Sequence, residues 1–210
     1  MIIINLKNYV FGTAALDLVK KIEMYYSRAI IAVSLIDLAA LVKSTTVQIY
    51  AQHVDYHETG RSTGRVTPEQ IIGTGAGGSL LNHSEHLLPL AEIKKTIKRA
   101  NEVGLKLVVC VGSLSAAKQL LKLNPYALAF EDKKLIATGK SITEYKTVDL
   151  KKFIALFKDT ETLPICGAGI TSGADVAHAL TLGCKGVLVS SVVANSQTPE
   201  KFLKEVAGLF

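Results

Sequence analysis

The sequence predicts an α/β protein of one domain, residues 1–210, built as a closed (β/α)8 barrel. Three observations predict it. Eight short apolar runs, rich in β-branched residues, recur along the chain. An amphipathic stretch separates one run from the next. Polar and glycine-rich segments gather just past the C-terminal ends of the runs.

The runs are residues 1–4, 29–33, 47–51, 77–81, 105–111, 126–130, 162–166 and 186–190. Each has the length and continuous apolar character of a strand covered on both faces. Strands alternating with helices imply βαβ units and a parallel sheet. An open sheet of eight strands would have edges and a switch point, and neither is locatable, so closure into a barrel fits better.

The intervening segments carry helical spacing. Residues 13–26 place Ala15, Leu18, Val19, Ile22 and Tyr26 on one face, and residues 88–103 place Leu90, Ile93, Ile97, Ala100 and Val103 likewise, with Gly104 as a stop. Residues 113–123, 148–157, 173–182 and 199–208 repeat the pattern. Thr198-Pro199-Glu200 opens the last with a first-turn proline. Segments 35–43 and 67–73 are shorter.

Composition narrows the function classes. Apolar residues make up 49% and charged residues 20%, as in a folded domain rather than a disordered one. Lys106, Asp149 and Lys185 interrupt the best apolar stretches, so no membrane span is expected. The N-terminus reads as a strand and not as a leader. Cys110, Cys166 and Cys184 are odd in number and widely spaced, which argues against a disulfide framework or zinc site and for a reducing cytoplasm. The net charge of +6 is spread over helix faces such as Lys94-Lys95 and Lys98-Arg99, so no nucleic-acid partner is expected. A mild positive field would help collect a phosphorylated substrate.

In a barrel, chemistry belongs at the C-terminal strand ends. There the chain carries Asn5-Leu6-Lys7 after the first run, Ala51-Gln52-His53 after the third and Asn82-His83-Ser84-Glu85 after the fourth. Glu131 follows the sixth. Cys166-Gly167-Ala168-Gly169-Ile170 follows the seventh and Ser190-Ser191 the eighth. Asn5 and Lys7 stand at alternate positions, so an extended strand would aim both the same way. Taken singly, the lysine is a solvated loop charge, His83 a hydrogen-bonded structural histidine and Glu131 a loop acid. Their convergence on one barrel face points to proton-transfer chemistry beside turns suited to a phosphate.

These segments, with Leu135-Ile136-Ala137-Thr138-Gly139 and Gly186-Val187-Leu188-Val189-Ser190-Ser191, resemble the triosephosphate isomerase family in order over the whole chain, and in particular its short, archaeal-type class. The resemblance implies a single-domain TIM barrel and a cofactor-independent isomerase of glycolysis and gluconeogenesis. Such an enzyme interconverts dihydroxyacetone phosphate and D-glyceraldehyde 3-phosphate through an enediol(ate). It implies Glu131 as base, His83 as electrophile and Lys7 as the charge that stabilises the oxyanion. Asn5 would contact substrate, and Glu85 would hold Lys7. Backbone N–H groups of Gly169, Ser190 and Ser191 would bind the phosphate, with Ile136, Ala137 and Gly139 in a lid over residues 131–139. In Gly60-Arg61-Ser62-Thr63-Gly64 it implies a loop inserted into a neighbouring subunit, where Thr63 supports that subunit's lysine. The expected assembly is a homodimer, with a homotetramer left open.

Three positions depart from the family pattern. Asp132 stands where proline often follows the base, which implies a freer hinge. Ala137 replaces a usual glycine, and Ser190-Ser191 a smaller pair. No metal is expected: His53-x3-His57 and His83-x2-His86 lack a third ligand, and Lys7 would repel a cation. Two alternatives stand beside this reading: a metal-dependent aldolase or epimerase, and a catalytically silent phosphate-binding barrel.

Overall fold

Eight runs of strand length form eight strands, each within one residue of its expected bounds. The structure is a computed structural model describing residues 1–135, 138 and 141–210. In chain order the strands are β1 (Ile2–Asn5), β2 (Ile30–Val33), β3 (Gln48–Ala51), β4 (Gly78–Leu81), β5 (Lys106–Val111), β6 (Ala127–Phe130), β7 (Leu163–Gly167) and β8 (Gly186–Val189). Each pairs in parallel with its sequence neighbours, and β1 pairs with β8, so the sheet closes.

Helices cover the outside: α1 (Gly12–Tyr25), α2 (Leu38–Ser44), α3 (Pro68–Thr74), α4 (Leu90–Val103), α5 (Leu114–Leu121), α6 (Ile142–Tyr145), α7 (Thr147–Ile154), α8 (Gly173–Leu182), α9 (Ser191–Ala194) and α10 (Pro199–Val206). The long ones follow the apolar spacing. In α4, Ile93, Ile97 and Ala100 are buried as expected. Thr67 opens α3 with a reciprocal cap to Gln70, ahead of Pro68. Pro199 opens α10, although the Thr198 side chain makes no cap bond there. The four-residue α6 and α9 were not expected, because one turn leaves no periodic signature.

Strand alternation divides the core in two. Ile2, Ile4, Ile31, Val33, Leu107 and Val109 belong to the layer shared with the helices. Ile3, Ala32, Tyr50, Leu80, Val108, Cys110, Ala127, Ala129, Ile165 and Leu188 fill the barrel. Volumes inside are matched: a Cβ on Gly78 would lie 2.6 Å from the Tyr50 ring and 2.4 Å from the Lys106 carbonyl. The missing side chain makes room for the tyrosine, as close packing requires.

The same parity positions the floor of the upper face. Two residues beyond Ile3, Tyr50, Leu80, Ala129, Ile165 and Leu188 stand Asn5, Gln52, Asn82, Glu131, Gly167 and Ser190. Each interior position thus continues into a group at the barrel mouth.

Among the described residues, no helix is long and apolar enough to cross a membrane.

Candidate active site

One cleft at the C-terminal barrel mouth is lined by Asn5, Lys7, His83, Glu131, Gly169 and Ser190, together with Ser191 and Tyr9. Seven of the ten predicted site residues therefore meet in one place. Glu85 lies beside it, reached through Lys7. Thr63 does not join this chain's own cleft; it is exposed on the loop after β3. Ile136, Ala137 and Gly139 lie outside the described residues.

Lys7 reaches the cleft by a route the sequence did not show. Strand β1 ends at Asn5, and Lys7 has φ 48°. Left-handed backbone at a residue with a Cβ costs roughly 1–2 kcal/mol, so its surroundings must hold it. They do so with several bonds. The Lys7 N–H donates to Asn5 Oδ1 at 2.9 Å. The Gln52 amide donates to the Lys7 carbonyl at 2.9 Å and to Asn5 Oδ1 at 3.2 Å. Strand alternation places Asn5; a turn braced by Gln52 places Lys7. The lysine Nζ then meets Glu85 Oε1 at 2.6 Å, with the lysine side chain largely covered and the glutamate half exposed.

His83 follows Asn82, whose φ of 58° turns the chain out of β4. Asn82 is pinned at both ends: Nδ2 donates to the Cys110 carbonyl, and Oδ1 accepts from the Leu88 N–H, both at 2.9 Å. The His83 ring accepts the Glu85 N–H at Nδ1, 3.3 Å away. A ring that accepts at Nδ1 carries its proton on Nε2 in the uncharged form. Nε2 lies 3.9 Å from Glu131 Oε2 and faces the cleft. The N–H that fixes this tautomer comes from the turn after β4, five residues before α4 begins.

Glu131 is 7% exposed, and its Oε2 has no hydrogen-bond partner among the described residues. Its N–H continues the ladder past the end of β6, donating to the Val111 carbonyl of β5 at 3.0 Å. Burial pushes the carboxyl above its ordinary value, against the downward pull of His83, a hydrogen bond with the Cys110 thiol and the Lys7 charge; Glu85 adds a smaller upward push. A carboxylate so placed is a stronger base than one in water.

Across the cleft, Ala168 (φ 80°) and Gly169 (φ 69°) turn the chain after β7. The Ser190 hydroxyl donates to the Asn5 carbonyl at 2.7 Å, tying β8 to β1. The Ser190 carbonyl accepts the N–H groups of Val193 and Ala194. Ser191 thus starts a helical turn, where first-turn N–H groups lack partners within the helix and can bind an anion.

Asp132, the residue expected to free the hinge after Glu131, makes three contacts there. Its Oδ1 accepts the Lys134 N–H at 2.9 Å, its carbonyl accepts the Leu135 N–H at 2.9 Å, and its Oδ2 stands 3.5 Å from Lys146 Nζ. Gln52, Cys110 and Lys146 contact these groups, and the sequence reading gave none of the three a role. Only Gln52 left a signal, an amide directly after a buried strand. The His53 and His86 rings lie close together, with centroids 4.4 Å apart and planes tilted by 37°, but no group of three His, Cys, Asp or Glu among the described residues could hold a metal ion.

The sequence profile described as triosephosphate isomerase matches residues 1–206. The triosephosphate isomerase of Archaeoglobus fulgidus is 37% identical over 217 residues, spanning 100% of this chain and 97% of the relative. That of Sulfurisphaera tokodaii is 37% identical, spanning 98% and 93%. That of Methanocaldococcus jannaschii is 31% identical, spanning 98% of each. A crystal structure of the Bartonella henselae triosephosphate isomerase aligns with a TM-score of 0.74 over 97% of this chain and 96% of that one. At 19% identity that likeness speaks to the fold alone.

Proposed function

We propose a division of labour in the cleft from one premise: this chain belongs to the triosephosphate isomerase family. It therefore interconverts dihydroxyacetone phosphate and D-glyceraldehyde 3-phosphate, an aldose–ketose isomerisation within one molecule.

Glu131 is the base. It takes a proton from the carbon beside the carbonyl and returns it to the neighbouring carbon. The observation that carries this role is its buried carboxylate, with Oε2 lacking a hydrogen-bond partner among the described residues and standing 3.9 Å from His83 Nε2. His83 Nε2–H donates to the substrate oxygen as negative charge develops there; this family is the standard example of an uncharged imidazole in that task. Lys7 supplies the positive charge that stabilises the enediolate oxygen, held by Gln52, Asn5 and Glu85. Asn5 contacts substrate from the cleft floor. The phosphate binds backbone N–H groups of Gly169, Ser190 and Ser191, and Ile136 belongs to the lid that keeps water out. No step needs a metal.

The working unit of this proposal is a homodimer in the cytoplasm. A second cleft, lined by Asn8, Ser34, Gln52 and His53, opens beside Lys7 and Glu85. Ile36, also in its lining, is 93% exposed in the single chain. The loop after β3 is braced for insertion: the Asp55 N–H donates to the Val66 carbonyl at 2.8 Å, and Asp55 Oδ2 accepts the Val66 N–H at 2.8 Å. Thr63 projects on that loop, toward the partner's Asn5 and Lys7 in this reading.

A coupled assay of glyceraldehyde 3-phosphate isomerisation, run with excess chelator, tests the reaction and its independence from metal. Glu131→Gln should lower kcat by roughly a thousandfold while substrate still binds. Near-normal turnover in that variant would remove Glu131 from the mechanism.

A further inference from the structure

The residue after the base carries a carboxylate with two partners, neither of them substrate. Asp132 Oδ1 accepts the Lys134 N–H at 2.9 Å. This local bond, with the Leu135 N–H on the Asp132 carbonyl, closes a turn at once after Glu131. The other oxygen, Oδ2, faces Lys146 Nζ at 3.5 Å. Lys146 is anchored at the joint between α6 and α7: its N–H donates to the Ile142 carbonyl at 3.0 Å, and its carbonyl accepts from Leu150 at 2.9 Å. Its second acidic neighbour, Asp149 Oδ2, is farther, at 3.9 Å.

We propose that Asp132 is a positioning residue for the base: its carboxylate locks the turn after Glu131 with one oxygen and moors it to the helix-anchored Lys146 with the other. The proposal rests on Glu131 being the base. The barrel already holds Glu131 on its N-terminal side, through the bond to Val111 on β5. On the other side Asp132 makes the side-chain contacts among the described residues of this turn, and Lys133 and Lys134 are exposed. Buried Leu135 ends the turn. With both ends held, the base stays aligned with His83. The pair is partly exposed, 22% at Asp132 and 41% at Lys146, so its attraction is modest and screened by salt. Its effect falls on where the base sits. Small displacements of a catalytic group slow the chemical step far more than they weaken substrate binding.

Variants separate the two contacts. Asp132→Asn keeps an acceptor for the turn and loses the ion pair. Lys146→Met also loses the pair only. Asp132→Ala loses both contacts. In the coupled assay the first two should each lower kcat by about threefold and Asp132→Ala by about tenfold, with KM within about twofold of wild type. Combining Asp132→Ala with Lys146→Met should cost no more than Asp132→Ala alone, because the two share one interaction. Added salt should bring wild-type kcat toward that of Lys146→Met and leave the variant's kcat unmoved. Asp132→Ala with wild-type kcat, even at a lowered melting temperature, would reduce the residue to a structural role and overturn the proposal. So would losses that multiply in the double variant. Glu131→Gln runs beside them: near-normal turnover there overturns the base assignment itself, whereas an inactive Glu131→Gln with unaffected Asp132 variants overturns only the mooring.

Discussion

The Glu131 side chain occupies the space that a side chain at Gly167 would need. A Cβ built on Gly167 falls 2.8 Å from Glu131 Oε1 and 3.1 Å from its Cγ, with the Leu188 carbonyl at 3.0 Å behind it. Gly167 is the last residue of β7, and its φ is not left-handed, so its demand for glycine is steric. The end of β7 therefore forms one wall of the socket that holds the Glu131 carboxylate. The glycine in that motif serves the carboxylate, where the sequence suggested a tight turn.

Gly167→Ala should accordingly displace Glu131, the proposed base, while leaving its carboxylate intact. The expected result is a fall in kcat of about ten- to a hundredfold, as small misplacements of a catalytic group produce, with a smaller change in KM. Steady-state kinetics on the variant decide it. A variant with wild-type kcat would mean that Glu131 does not need this socket.

Glu131 also links activity to stability. In the unfolded chain it titrates near the ordinary value of 4.5; in the fold burial raises that value. Between the two the folded protein holds the extra proton, so stability falls as pH rises through that window. Above it, the wild type bears the full cost of a buried charge. Glu131→Gln removes that charge. At neutral pH the variant should be more stable than wild type, and the gap should close as pH drops below 4.5. Urea denaturation at several pH values measures it. A gap that is absent at neutral pH, or that widens in acid, would contradict the raised value.

Ala168, next in the chain, has φ 80° with its methyl group buried. A Cβ in left-handed backbone costs roughly 1–2 kcal/mol, and glycine escapes that cost while gaining freedom in the unfolded chain. Ala168→Gly should therefore stabilise the protein by about 0.5 kcal/mol, the reverse of the usual sign for alanine to glycine. Melting and denaturant midpoints check it. A loss of stability would show that the methyl packing outweighs the strain.

In the proposed homodimer the loop at residues 57–65 couples assembly to catalysis. It projects on a braced stem, with Thr63 exposed at its tip, and ordering such a loop is favourable only when a partner receives it. Replacing it by a tight turn should yield monomers and reduced kcat/KM together, although no group of this chain's own cleft is removed. Sedimentation and the coupled assay on one sample read both. A shortened chain that stays dimeric, or a monomer of full activity, would break the link.

The sequence by itself determined the barrel and the membership of its mouth. In eight continuous apolar runs, strand alternation sends every second residue into the barrel, and the same parity carries Asn5, Glu131 and Ser190 into the cleft. Such patterns are local, so a single chain displays them. Tertiary structure alone decided how those groups are tuned. Lys7 leaves strand parity and depends on Gln52, 45 residues away. The raised value of Glu131 is the balance of burial against His83, Cys110 and Lys7, which come from three other strand ends. Gly167 is required by a side chain 36 positions earlier, and Asp132 pairs with Lys146 at the start of α7. Each of these pairs segments that meet only when the sheet closes. No spacing along the chain encodes them, because the physical forces involved, desolvation, steric exclusion and charge, act through space.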